Sequence, residues 1–340
     1  PRVGRARRWA EADLVVTSYD LLRRDEDRYA EQPFYACILD EAQAIKNHTT
    51  QKYKAVCQVR SQVRFALTGT PVENRLGELW SIFSFLMPGY LPPYKNFCAR
   101  FEKPIVQEED ANAVRRLNQL TGPFILRRMK ADVLRELPPK TENVHRIELD
   151  TEQRKLYLAA VVDAREKLRA AKPEDKMAVF AVLMRLRQIC CDPRLVADNW
   201  SGGSAKLDAC MELVTAAVEG GHRILLFQRL DEAGVSHFTL QGSTPKPVRA
   251  ELVRRFNAGE ASVFLISLRA GGTGLNLTAA DIVIHYDPWW NVAAQNQATD
   301  RAYRIGQKNP VQVYKLIAQD TIEEKIVELQ QAKQSLADTV

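Results

Sequence analysis

The run Asp300-Arg301-Ala302-Tyr303-Arg304-Ile305-Gly306 sets two guanidiniums three residues apart, and Gln297 precedes the first by four. At that spacing the arginines are expected on one face of a helix, pointing into one cleft. A guanidinium is always charged, planar and able to hold several oxygens at once, which suits the transferring phosphoryl group of a polyphosphate. An exposed Arg-x-x-Arg is also an ordinary solvated face. The pair therefore takes its meaning from the rest of the chain.

Three other segments carry chemistry. In Cys37-Ile38-Leu39-Asp40-Glu41-Ala42-Gln43 an apolar run ends in two adjacent carboxylates. The C-terminal tip of a strand is where α/β sheets gather their ligands. Asp40 reads as a Mg²⁺ ligand, through water, and Glu41 as the base that orients an attacking water. The same pair would also serve as a helix N-cap and first-turn acid. Leu67-Thr68-Gly69-Thr70-Pro71 offers hydroxyls and a glycine at a second strand end. Such a loop suits sensing of a phosphate or a carboxylate, or a plain strand-to-turn exit. Ser267–Leu277 holds Gly271, Gly272 and Gly274 after an apolar run, so backbone amides can approach a phosphate or simply turn the chain. In Asp287-Pro288-Trp289-Trp290-Asn291 the two indoles can pack in a core or stack a base.

Apolar, β-rich runs at Leu14–Thr17, Ala36–Leu39, Val63–Leu67, Ile224–Phe227, His237–Leu240, Val263–Ser267, Ile282–Tyr286 and Val311–Leu316 alternate with helical patterns. Short buried strands between helices predict an α/β fold with parallel sheets, in two groups separated by residues 131–203. Residues 151–171 and 176–190 carry apolar stripes at helical spacing, and Thr321-x-x-Glu324 is a capping box opening a last helix. Pro138-Pro139 reads as an extended linker and Ser201-Gly202-Gly203-Ser204 as a hinge.

The 340 residues are 46% hydrophobic, enough for about two domains, and carry 48 Lys+Arg against 42 Asp+Glu for a net charge of +6. That balance permits nucleic-acid binding without requiring it. No apolar run approaches the ~18 residues of a membrane span, so no membrane partner is expected. The six cysteines form no Cys-x-x-Cys pair, which favours reduced structural thiols in an intracellular setting.

Order and spacing of these segments resemble the Swi/Snf family of helicase-like ATPases, the double-stranded DNA translocases of helicase superfamily two. The resemblance covers nearly the whole chain. Phe124–Arg128 and Leu186–Pro193 are similar to segments flanking the family's helical insertions. The resemblance implies two RecA-like lobes that hydrolyse ATP with Mg²⁺ between them while tracking along a DNA duplex, with a DNA-bound protein complex as a further partner. Residues 1–130 would be a truncated first lobe with a helical insertion at about 73–122, residues 131–203 a linker and helical insertion, and residues 204–340 the second lobe with its C-terminal helix. Asp40, Glu41, Arg301 and Arg304 would be catalytic, with Asp40 on the metal. Gln43, Thr68, Gly69, Gly272, Gly274 and Gln297 would bind ATP. Thr17, Ser18, Tyr19, Gly242, Ser243, Thr244, Arg269 and Trp289 would meet DNA. The setting would be cytoplasmic and nucleoid-associated in a prokaryote, or nuclear in a eukaryote.

The chain departs from the family at two points. No Gly-x-x-x-x-Gly-Lys-Ser/Thr phosphate-binding loop occurs in it. The first sheet is therefore expected to expose an unpaired edge or an apolar face, and this segment alone to lack turnover. The stretch Gln228–Ser236 is also short for a parallel crossover. A non-catalytic DNA-binding fragment and a strand-separating helicase are the competing expectations.

Overall fold

The computed structural model describes residues 12–69, 72, 75–128, 130–134, 136–170, 175–227, 236–267 and 274–339. They form two units, 1–126 with 333–340, and 127–332. None of the described helices is long and apolar enough to cross a membrane.

The first unit is built on two parallel strands, β1 (Phe34–Leu39) and β2 (Ser61–Ala66), with Ala36 opposite Val63 and Ile38 opposite Phe65. Strand alternation divides their side chains between two faces. Leu39, Cys37 and Ala66 pack on a core with α1 (Tyr19–Arg24) and α2 (Gln51–Gln58), through Leu22, Ala55 and Val56. The opposite face carries Ile38, Phe65 and Leu67, which are 59%, 52% and 54% exposed. An apolar face was expected here, and it stands open among the described residues. From residue 76 onward the unit is helical: α3 (Leu76–Leu86), short helices at Tyr94–Phe97 and Lys103–Gln107, and α4 (Ala111–Thr121). Leu76, Leu79, Phe83, Phe97 and Leu117 close a separate core there.

The second unit opens with a four-residue helix, α5 (Lys130–Val133), then an edge strand, β3 (Lys140–Ile147). Two long helices follow, α6 (Thr151–Ala170) and α7 (Lys176–Cys191), then α8 (Ala205–Glu219). The rest alternates: β4 (Ile224–Phe227), β5 (His237–Leu240), α9 (Lys246–Ala258), β6 (Val263–Ile266), β7 (Ile282–His285), α10 (Val292–Thr299), β8 (Val311–Ala318) and α11 (Ile322–Thr339). The six strands make one parallel sheet in the order β3-β8-β7-β4-β6-β5. Its central strands are buried on both faces, which is why they read as unbroken apolar runs. Leu225, Phe227, Phe264 and Val283 face one core, and Ile224, Leu226, Leu265 and Ile284 face the other.

Three local expectations differ from the structure. Leu14–Thr17 is irregular, with Leu14 77% and Val16 84% exposed, because no described strand lies alongside to take its backbone hydrogen bonds. Lys140–Ile147, expected to be linker, is a strand paired along its length with β8. Its polar sequence is that of a charged edge, which resists further pairing. The Ser201–Ser204 stretch is not a free hinge. Ser204 is buried and donates to Cys191 O at 2.9 Å, and Trp200 Nε1 donates to Gly203 O at 3.1 Å. The segment between β4 and β5 lies outside the described residues. The two strands run parallel on either side of β6.

Candidate active site

In the first unit, β1 delivers Asp40 and Glu41 at its tip. The β1–β2 ladder continues past the strands, with Leu67 N donating to Leu39 O at 2.7 Å and Ala42 N to Leu67 O at 2.9 Å. These bonds hold the acid pair against the Thr68-Gly69 loop. Asp40 Oδ1 accepts the Glu41 N–H at 3.0 Å. Glu41 itself sits in the left-handed region, at φ 50° and ψ 53°. That conformation costs a non-glycine residue roughly 1–2 kcal/mol. It turns the chain sharply off the strand, into a short 3₁₀ turn over Ala42–Ile45.

A chain of side-chain hydrogen bonds joins the two loops. Gln43 Nε2 donates to Glu41 Oε2 at 2.6 Å, and Thr68 Oγ1 donates to Gln43 Oε1 at 2.8 Å. The amide of Gln43 is thereby fixed in one orientation, and a carboxylate oxygen of Glu41 with it. Asp40 and Glu41 are exposed, Thr68 and Gln43 half-buried. Thr68 is thus linked to the Glu41 carboxylate through Gln43.

Asp40 fits a magnesium site by the chemistry of its donors. One carboxylate oxygen holds the Glu41 amide, and no described group takes the other. Mg²⁺ keeps several waters and binds through one or two carboxylates together with substrate phosphate, so a single exposed carboxylate suffices. Cys191, Asp287 and Glu323 also lie within ligating distance of one another. There the carboxylates are already matched by Arg187 and Lys206, so the cluster is an ion-pair network.

Ser18 N-caps α1, accepting Leu21 N–H at 3.3 Å, and leaves Thr17 exposed beside it. The neighbouring Tyr19 turns inward, its hydroxyl donating to Asp40 O at 2.7 Å. Burial, then the nearby Asp40 charge, push the Tyr19 phenol up to about 12. The residues after the acids are anchored too. Lys46 pairs with Glu78 at 3.8 Å, and the His48 ring lies 4.1 Å from that of Tyr94 and 5.4 Å from that of Trp80. Neither tie was legible from spacing, since each depends on a distant helix.

In the second unit, α10 positions Gln297, which is half-buried, and then ends at Thr299. The arginines therefore do not share a helix face, as their spacing suggested. They sit in turns, with Ala302 N and Tyr303 N bonding Thr299 O at 3.0 and 3.1 Å, and Arg304 N bonding Ala302 O at 3.2 Å. Gly306, at φ 100°, lets the chain leave these turns in a conformation that a side chain would resist. Arg301 is buried and Arg304 half-buried. The Gly-rich loop is stitched to this segment: Leu277 N donates to Arg301 O at 2.9 Å, and Arg304 Nη1 to Leu275 O at 3.1 Å. Gly274 is exposed at φ 43°. Gly272 and Arg269, assigned to ATP and to DNA, lie outside the described residues, as do Thr70 and Pro71.

Gln241–Thr244 forms a turn after β5. Arg249 of α9 braces it, donating to Thr244 O at 2.7 Å and Gly242 O at 2.8 Å, and Thr244 Oγ1 accepts the Gln241 N–H at 3.0 Å. Gly242 and Ser243 remain exposed on a fixed backbone. Trp289 is half-buried and engaged within the unit. The Arg187 guanidinium lies 5.4 Å from its ring and 5.7 Å from that of Trp290, while bonding to both oxygens of Asp287.

Residues 3–195 match the family model of the SNF2-related domain, and residues 207–306 that of the helicase conserved C-terminal domain. The two matches define the class, a helicase-like ATPase with α/β lobes of the RecA type. Relatives narrow it. Over 98% of the chain it is 41% identical to the putative ATP-dependent helicase/translocase YwqA of Bacillus subtilis. It is 40% identical over 95% of its length to an uncharacterized ATP-dependent helicase of Mycoplasma pneumoniae. The mouse SWI/SNF-related matrix-associated actin-dependent regulator of chromatin subfamily A member 1 is 35% identical over 97%. Among solved structures, the Sulfolobus solfataricus SWI2/SNF2 ATPase core in complex with dsDNA is similar, with a TM-score of 0.51 and 35% identity over 96% of this chain and 72% of that one. The chain belongs to the SNF2 family of helicase-like ATPases. It spans 38%, 32% and 34% of the lengths of these three relatives.

Proposed function

We propose that these residues form the motor of an ATP-driven translocase on double-stranded DNA. The observation that supports the reading is the Thr68–Gln43–Glu41 hydrogen-bond chain at the tip of β1, the end of the strand where α/β sheets gather their ligands. Glu41 accepts the proton of the attacking water and, held by Gln43, orients it. Asp40 would hold a magnesium ion through water. When bound, that ion neutralises charge on the phosphates. Arg301 and Arg304 stabilise the charge that develops on the transferred group. Thr17, Ser18, Tyr19, Gly242, Ser243, Thr244, Arg269 and Trp289 are assigned to the duplex. Exposed turns such as Gln241–Thr244 suit grip on phosphates, which is sequence-independent and salt-sensitive.

The Lys of a Gly-x-x-x-x-Gly-Lys-Ser/Thr loop is not among these 340 residues, so turnover must be tested in the full-length protein. The experiment is Mg²⁺-dependent ATP hydrolysis with and without duplex DNA, run beside a strand-displacement assay. Turnover stimulated by duplex, without strand separation, is the expected result. Folded protein whose hydrolysis ignores duplex would exclude a translocase, and released single strands would assign the chain to the strand-separating helicases.

A further inference from the structure

We infer that Lys130 is a positioning residue for the arginine segment, holding Asp300 and Tyr303 so that Arg301 and Arg304 keep a fixed disposition. The inference rests on the ATPase reading above for its functional consequence, but its geometry stands apart from it. Because α10 stops at Thr299, no regular helical ladder continues through the arginines. Irregular turns hold their shape only where side chains or neighbouring loops tie them. Ties come from the Gly-rich loop, at Arg301 O and at the Arg304 guanidinium, and from Gln307 Nε2, which donates to Ala302 O at 3.1 Å.

A further tie is Lys130. Its Nζ lies 2.6 Å from Asp300 Oδ1 and donates to Tyr303 O at 3.3 Å, reaching across 173 positions of sequence to the latter. The ammonium also stands 5.9 Å from the Tyr303 ring centroid, and Lys140 Nζ lies 5.8 Å from the same ring. Residues 300 and 303 immediately precede Arg301 and Arg304 in the chain. A cation bridging a carboxylate at 300 and a carbonyl at 303 sets the rise of the turn that contains Arg301. Lysine suits the task, since its three donors rotate on a flexible stem and can meet two acceptors at once. The side chains of Lys130 and Asp300 are 41% and 42% exposed, so their pairing adds little to global stability. A positioning role can therefore be separated from a folding role.

The test uses the full-length protein with Lys130→Met, which keeps an unbranched apolar side chain and removes the donors. Amide exchange in the peptide spanning 299–307 should quicken, with exchange elsewhere and the thermal midpoint unchanged. The kcat for DNA-stimulated ATP hydrolysis should fall about 10-fold, while KM for ATP and Kd for duplex stay within about twofold. Lys130→Arg should recover most of the rate, and Asp300→Asn should reproduce the loss without adding to it in the double variant. Unchanged exchange at 299–307 overturns the inference, whatever the activity. So does a general rise in exchange with a lowered midpoint, or quickened exchange with kcat unaltered in an active enzyme. If the unaltered protein hydrolyses no ATP, the ATPase reading fails by itself, and local exchange alone decides whether Lys130 positions the segment.

Discussion

Replacing Lys206 by Met should unfold the second unit at much lower denaturant. Lys206 of α8 and Glu323 of α11 have side-chain exposures of 0% each. The ammonium lies 2.6 Å from Glu323 Oε1, touches the other oxygen as well, and stands 5.3 Å from the Tyr286 ring. Glu323 also accepts the Ala318 N–H at 2.8 Å. Burial by itself pulls the Lys206 pKa down, but the Glu323 carboxylate outweighs it and the value ends raised, so the lysine is charged at neutral pH. Methionine has a similar shape and leaves no cavity. What it leaves is a carboxylate in a dry core with one backbone donor.

Breaking a buried pair from one side costs about 3–5 kcal/mol. With a urea slope of about 2–3 kcal/mol/M, the midpoint should drop by about 1–2.5 M. Glu323→Gln should cost a similar amount by stranding the ammonium. The double variant Lys206→Met/Glu323→Met should be milder than either single change, because an apolar pair of matching volume is often neutral. The assay is urea unfolding of all four proteins, followed by far-UV circular dichroism. A single-variant cost below about 1 kcal/mol, or additive losses in the double variant, would refute the reasoning, since surface pairs behave that way.

Glu41→Gln should keep nucleotide binding, because an amide oxygen can still accept from Gln43 Nε2, while single-turnover hydrolysis falls by about 10²–10³-fold. A fluorescent ATP analogue and a quenched-flow assay report the two separately. Arg304→Ala should lower kcat by about 10³-fold and leave duplex affinity within about twofold, measured by fluorescence anisotropy; lost DNA binding with turnover retained would reverse its role. His285 is fully buried, stacked on Phe227 at 5.1 Å with Nε2 2.8 Å from Thr299 Oγ1, and burial above all pulls its pKa down to about 3. A base kept neutral by the fold lends stability that is complete above its ordinary 6.5 and is lost as pH falls from there toward about 3. Unfolding free energies from urea titrations between pH 4 and 7 should therefore fall with acid in the parent, by at most about 1.4 kcal/mol per pH unit, and more shallowly in His285→Gln; equal slopes would count against it.

The strands of the second sheet were legible because burial on both faces turns them into continuous apolar runs, as at Ile224–Phe227 and Ile282–His285. β3 was not, because an edge strand carries charge and reads as linker. Leu14–Thr17 shows the opposite error, where apolar alternation alone does not supply a partner strand. The residue types of the candidate site, Asp40, Glu41, Gln43, Thr68, Arg301 and Arg304, could be read directly. Their connections could not. Spacing does not show that Gln43 bridges Glu41 to Thr68, 25 positions on, or that Tyr19 reaches Asp40 O across 21. Nor does it show that the helix stops before the arginines, since Arg-x-x-Arg fits a helix and a turn equally well.

Left-handed backbone at a non-glycine residue does not by itself mark a site. Glu41, Glu109 and Asp320 all adopt it, at φ 50°, 51° and 54°. Glu109 immediately precedes the Asp110 cap of α4, and Asp320 lies in the turn before α11, where such conformations are part of changing direction. At Glu41 both chain neighbours and the carboxylate are held by other residues, as they are at Asp320. Tyr19 holds Asp40 O, Leu67 O holds the Ala42 amide, and Gln43 holds the Glu41 carboxylate. At Asp320, Gln319 N donates to Ile147 O at 2.8 Å, Thr321 Oγ1 donates to Ala318 O at 2.7 Å, and Arg154 lies 3.6 Å from the carboxylate. Both strained residues are thus over-determined by their surroundings, which is the condition under which strain persists. The arginine segment follows the same rule by other means, irregular in itself and tied by Lys130, Leu275 and Leu277. In both units the groups proposed for chemistry stand just beyond the end of a regular element, and long-range side-chain bonds set their geometry. Changes at Tyr19, Gln43 or Lys130 should therefore alter rate before they alter fold.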